Sequence, residues 1–156
     1  MTNRPNPAAV ETVDPADGPL DRLSGLLEQC RVRAHLLHAG PLCGVTHFDA
    51  AAGRGFLHVL RRGSMEIRHQ VAGAAPVRLA VREPSLVFYP RPLAHGFHNA
   101  PQDGADFVCA TLDFDAGAQH PLARALPPLV LLPLAQVDGL AQTLDLLFAE
   151  TARVRC

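Results

Sequence analysis

Between about Arg33 and Asp115 the chain is broken every few residues by clusters that cannot continue a helix. They are Gly40-Pro41, Asp49 to Gly55, Gly63-Ser64, Gly73 to Pro76, Glu83-Pro84 and Pro101 to Gly104. Proline locks φ and withholds a donor, and glycine makes tight reversals possible, so no helix of ordinary length fits between these breaks. What remains are segments of about 5 to 9 residues, the lengths of strands in a many-stranded antiparallel sheet. Period-2 alternation then assigns faces. Phe56, His58 and Leu60 share one side of a strand, with Leu57, Val59 and Arg61 on the other, and Met65 and Ile67 alternate with Glu66 and Arg68. The fold class is mainly β.

The ends read differently. Residues 1–18 are rich in Pro, Asp, Ala and Asn without an apolar period, which predicts a flexible arm. Leu20, Leu23, Leu26, Leu27 and Cys30 recur at helical steps, with Asp17 or Asp21 placed to cap the start. After Asp115 the pattern returns to helix. Pro121 to Leu126 forms a short helical turn stopped by Pro127-Pro128. A closing helix runs from about Val137 to Val154, with Gly139 in its first turn and a stripe of Leu140, Leu144, Leu147 and Phe148. Asp138 near its start and Arg153 and Arg155 near its end suit the helix dipole. Burying each stripe residue is worth about 1.5–3 kcal/mol. Either a barrel wall or a partner subunit can supply the cover.

A length of 156 residues suits one domain, and 48% hydrophobic content suffices for a core filled by aliphatic side chains, since aromatics are 5% and Trp is absent. The formal net charge is −1, from 14 basic and 15 acidic residues. Holding DNA through many phosphates takes a basic face, so direct DNA binding by this chain is not expected. Every basic residue is Arg. Cys30, Cys43, Cys109 and Cys156 form no CxxC pair and no dense framework, as reduced thiols of a cytoplasmic protein would. The N-terminus has no secretory h-region, and the apolar stretch near Leu126–Leu134 is too short and proline-broken to span a bilayer. No nucleophile elbow, P-loop or dinucleotide fingerprint is present, so no catalytic residue and no organic cofactor site is assigned.

The strongest local signal is Leu86-Val87-Phe88-Tyr89-Pro90-Arg91-Pro92-Leu93-Ala94-His95-Gly96-Phe97-His98-Asn99. Pro90, His95 and Asn99 resemble the second motif of the cupin family. Where that family carries Gly, this chain has Pro84 and Pro92, which keep a turn but cannot supply positive φ. The first cupin motif would bring two histidines and a Glu ahead of Gly63. Phe56 stands at the Glu position and Asp49 to Gly53 holds no His pair, so of the family's metal set only His95 survives.

A longer run of features is similar to the N-terminal cupin-like domain of AraC-type transcriptional regulators. They are Asp21 to Leu27 (DRLSGLL), Phe56 to Gly63, the Pro90-to-His95 turn, Val108 to Asp115, and His120 to Leu122 with Ala125 to Pro128 and the closing helix. The resemblance implies a cupin-like antiparallel double-stranded β-barrel, or jelly roll, with an N-terminal helix and C-terminal amphipathic helices. Its parts are an arm (1–18), a sensor barrel (19–135) and a dimerisation helix (136–156) with Leu140, Leu144, Leu147 and Phe148 at a homodimer interface. It also implies a small-molecule effector inside the barrel. DNA is reached only through a helix-turn-helix part that would begin where this sequence stops, at Cys156, the chain being a fragment or a stand-alone sensor. Two other functions stay open: a metal-dependent cupin enzyme of the dioxygenase or isomerase kind, and a stand-alone dimerising domain.

Four residues are candidates for a zinc site: His58, His95, Cys109 and His120. His58 lies two residues after the family's Glu position on the same strand face, and three imidazoles with one thiolate suit tetrahedral zinc. The competing reading makes His58 and His95 hydrogen-bonded core histidines, Cys109 a small hydrophobe and His120 a helix cap. Of the other histidines, His35, His38 and His47 fall on early strands and His69 and His98 at edges. Alternation turns His98 away from His95.

Overall fold

The alternation read from the sequence is realised, among the described residues, as nine strands in two antiparallel sheets. The architecture comes from a computed structural model that describes residues 31–99 and 104–153, the side chains of Leu147 and residues 150–153 apart. The expected arm and N-terminal helix lie outside the described residues. In chain order the elements are β1 (Val32–Leu42), β2 (Gly44–Phe48), β3 (Arg54–Arg62), β4 (Met65–His69), β5 (Val77–Val81), β6 (Ser85–Tyr89), β7 (His95–Asn99) and β8 (Ala105–Phe114). The helix α1 (Pro121–Ala125), strand β9 (Val130–Pro133) and helix α2 (Leu140–Arg153) follow.

One sheet has the order β1-β8-β3-β6-β9 and the other β2-β7-β4-β5. Their inner faces share one core. Phe56, Leu60, Val87, Tyr89, Phe107 and Cys109 from the first sheet pack with Met65, Ile67, Val81 and Phe97 from the second. This is the expected cupin-like double-stranded barrel. Phe56, His58 and Leu60 point inward as the alternation requires, and β4 is buried at Met65, Ile67 and His69 but open at Arg68.

Val59, on the opposite face of β3, is also buried, because α2 covers the outside of the five-stranded sheet. There Val59, Val108, Leu134 and Leu144 form a second cluster, with Leu140 and Phe148 packed against it. The stripe expected at a dimer interface is therefore applied to the chain's own barrel wall at Leu140, Leu144 and Phe148, and the side chain of Leu147 lies outside the described residues. Leu146 is what α2 turns to solvent, at 71% exposure. Arg61, partly exposed, lies over the Phe148 ring (5.1 Å) and pairs with Asp106 and Asp145.

One element after Asp115 was not expected and one detail needs correction. Val130–Pro133, between the two expected helices, forms the edge strand β9, pairing antiparallel with β6 from Phe88↔Val130 to Ser85↔Pro133. Proline is tolerated there because one side of an edge strand donates to nothing. Gly139 sits just before α2 rather than in its first turn, and its carbonyl accepts the first helical bond from Thr143. The short helix stopped by Pro127-Pro128 forms as expected, as α1.

Candidate functional site

The site is built where the two sheets face each other. β3 delivers His58 and β7 delivers His95, both essentially unexposed, and their Nε2 atoms lie 2.8 Å apart. β6 adds Tyr89, whose ring stacks on His95 with centroids 3.9 Å apart. β4 adds His69, whose Nδ1 is 3.2 Å from the Tyr89 hydroxyl. The start of β3 is pressed against the end of β6. A Cβ on Gly55 would sit 2.5 Å from the Tyr89 carbonyl oxygen, so only glycine lets Tyr89 come this close.

The hydrogen bonds settle the protonation of the pair. His95 Nδ1 is 2.8 Å from the Leu93 carbonyl, which can only accept, so Nδ1 carries the proton and donates. In neutral His95 the Nε2 atom is then a bare acceptor, and His58 must donate to it from its own Nε2. This leaves His58 Nδ1 as a bare acceptor, and it has no hydrogen-bond partner. Burial lowers the His58 pKa well below its ordinary value, and the neighbouring His95 lowers it further. Burial also brings His95 down to about 4, against a small upward pull from the Leu93 carbonyl. The pair is neutral at physiological pH.

Its surroundings are aromatic. The His58 ring lies 4.7 Å from Phe97, 4.9 Å from Phe48, 5.5 Å from Phe107 and 5.8 Å from Phe56, centroid to centroid. Phe48 also stacks on His95 at 5.1 Å, and it is the partly exposed member of this box. Burial pushes the Tyr89 hydroxyl above its ordinary range, so it stays protonated.

The four residues expected to hold zinc do not assemble. His58 and His95 meet. Cys109 stands opposite His58 in the β3–β8 ladder, but burial raises its thiol to about 12 and it packs as part of the core. His120 lies elsewhere: it caps α1, its Nδ1 accepting from the Leu122 amide, while its ring packs 4.6 Å from Phe114 and its Nε2 is buried without a partner. Among the described residues no group of three or more His, Cys, Asp or Glu is arranged to hold a metal. With His120 elsewhere, two imidazoles and one thiol fall short of the four ligands of a tetrahedral zinc centre, and the open His and carboxylate set of metal-dependent cupins is likewise not formed by the residues present. What the arrangement offers is one buried, uncharged acceptor inside an aromatic box.

Asn99, the last residue of the Pro90–His95–Asn99 pattern, ties β7 to the turn after β3 by donating to the Ser64 carbonyl at 3.0 Å. His98 faces away from His95, as alternation requires. His69 and Tyr89 were missed as site residues. The signal for His69 was the inward phase of Met65 and Ile67, which continues two residues further to His69.

No curated protein matches the sequence. Among the described residues no helix is long and apolar enough to cross a membrane. A family profile described as Cupin matches residues 21–156, which covers the barrel, both site histidines and α2. With two antiparallel sheets closed over His58 and His95, the chain belongs to the cupin family.

Proposed function

We propose that this cupin is the effector-sensing and dimerising domain of an AraC-type transcriptional regulator, its effector bound inside the barrel and DNA contacted only through a separate helix-turn-helix part. The observation that carries the reading is His58 Nδ1, a fully buried acceptor without a partner among aromatic rings. Such an atom costs about 1–3 kcal/mol while bare. A small neutral molecule that brings an O–H or N–H to it removes that cost and gains ring contacts with Phe97 and Phe107. No carboxylate is among the groups that shift either imidazole, so the pair suits recognition better than proton transfer. Phe48, partly exposed and lying over both rings, is the side chain that moves aside for entry. Dimerisation uses the outward face of α2 around Leu146, and the effector acts by binding one arrangement better than the other.

The test is a thermal-shift screen of neutral hydroxyl- and amide-bearing metabolites on the wild type and on His58→Phe, followed by sedimentation of the hits. Binding to the folded state raises Tm by mass action. A compound that shifts the wild type, not His58→Phe, and changes the monomer–dimer balance supports the reading. A chain that stays monomeric with every hit, or hits indifferent to His58, would overturn it.

A further inference from the structure

The outer face of the four-stranded sheet carries a feature that neither the barrel interior nor α2 uses. The register aligns His47, Gly96, Arg68 and Arg78 in one row across β2, β7, β4 and β5. Residues in one row share a face, and here it is the solvent face, since His47, Arg68 and Arg78 are exposed while the next residues, His95 and Phe97, are buried. Gly96 leaves the middle of that row without a side chain. The result is a groove of about 420 Å³ along the row, walled toward its ends by Val45 and Pro76. Small-molecule sites start at about 300 Å³, so the groove can hold an organic molecule of modest size.

Chemistry narrows the occupant. Neighbouring strands lie about 4.8 Å apart, so the backbones of His47 and Arg68 stand about 9–10 Å apart on either side of the glycine, and once their side chains are allowed for a flat ring is what fits between them. Both flanking groups are planar. Arg68 and Arg78 stand directly opposite each other, a like-charge pairing that costs stability by itself. Glu66 offsets one of the two: it pairs with Arg68, whose hydrogen bond and charge hold its carboxyl below the ordinary range, with Arg78 and His98 contributing. Asp49 faces His47 at 3.2 Å rather than the arginines. Arg78 makes no ion pair of its own among the described residues, and one positive charge is left on the groove wall.

We propose that this groove is a binding site for a flat, singly anionic small molecule, its ring seated on Gly96 and its carboxylate held by Arg78. The inference goes beyond the sensing role of the interior and stands independently of it. A Cβ at Gly96 would meet the chain's own Thr46 carbonyl at 3.1 Å and His47 Nδ1 at 3.7 Å, so glycine keeps the groove floor low beside the His47 ring, and the charge on the groove wall selects an anion.

The experiment is an amide NMR titration of the chain with sodium benzoate, with benzamide as the uncharged planar probe and acetate as the anion without a ring. Saturable shifts by benzoate at Thr46, Gly96 and Arg78, with Val87 and Phe107 unmoved, are expected. Benzamide and acetate should bind about tenfold more weakly, as should benzoate to Arg78→Gln, the loss of one charge-assisted hydrogen bond. Gly96→Val should block the groove. Its Cβ meets the Thr46 carbonyl at 3.1 Å, so Arg78→Gln, a surface change, keeps the test decisive if the valine variant fails to fold. No saturable shift at Gly96, equal binding of benzamide and benzoate, or indifference to Arg78→Gln overturns the proposal. So does a shift confined to the interior, or one at Gly96 that follows protein concentration without any probe, which would make a second copy the occupant.

Discussion

At the scale of single residues, the neutral His58–His95 pair makes stability depend on pH. Both histidines titrate near 6.5 when unfolded and lower when folded, so the unfolded chain binds more protons below about pH 6.5 and stability falls as the pH drops. For His95 the loss runs from about pH 6.5 down to its folded value near 4 and reaches about 3 kcal/mol. Urea melts at about pH 7 and about pH 5 measure most of it, above the ordinary values of the Asp113 and Glu66 carboxyls, which the fold lowers further. In His58→Leu/His95→Leu that pH dependence should flatten, and the variant should match or exceed the wild type near pH 5, because it removes the buried hydrogen-bonded pair together with the unpartnered His58 Nδ1, and only the part-buried Leu93 carbonyl loses a donor. If the slope persists in the double variant, the pair is not its source. The inward direction of His58 was legible in the alternation of β3. Its place near His95 was expected as well, from that alternation and the cupin resemblance, but the direct contact between the two rings, 37 residues apart in sequence, was not.

At the scale of elements, α2 separates two roles that its sequence mixes. Leu144 is buried against Val59 and Val108, so Leu144→Asp places a charge in that cluster and should cost about 3 kcal/mol or more in denaturant melts. Leu146→Asp, on the solvent side, should leave the melting curve within about 0.5 kcal/mol and weaken self-association in sedimentation. If Leu146→Asp melts like Leu144→Asp, the helix is rotated from the orientation described. The joint between β3 and β6 gives a second check. Gly55→Ala drives a methyl group against the Tyr89 carbonyl and the Phe114 ring, and a loss of about 2–3 kcal/mol is expected, the cost of overpacking against backbone. The helical stripe of α2 was legible because 3.6-residue periodicity is local. Strand β9 was not: four residues beside prolines show no period of their own, and only the open edge of β6 makes them a strand.

At the scale of the whole molecule, near-zero net charge sets what the chain does alone. With 14 basic and 15 acidic residues it has no excess of positive charge, and under the proposed role a gel-shift assay at about 0.1 M salt should show no retention of duplex DNA. Retention would overturn the assignment of DNA contact to a separate part. The sequence by itself determined the mainly β class, the turns, the faces of β3 and β4 and the amphipathic helix at the end. All of these depend on steric rules and periodicities that act over a few residues. Only the tertiary structure decided that the two site histidines touch, that His120 stays away from them while Cys109 packs opposite His58 as part of the core, that the α2 stripe covers its own barrel, and that Gly96 falls in one row with His47 and Arg68. Each of those depends on pairing strands distant in sequence, and the free energy that selects such pairings comes from burying the two inner faces together, a quantity no local window contains.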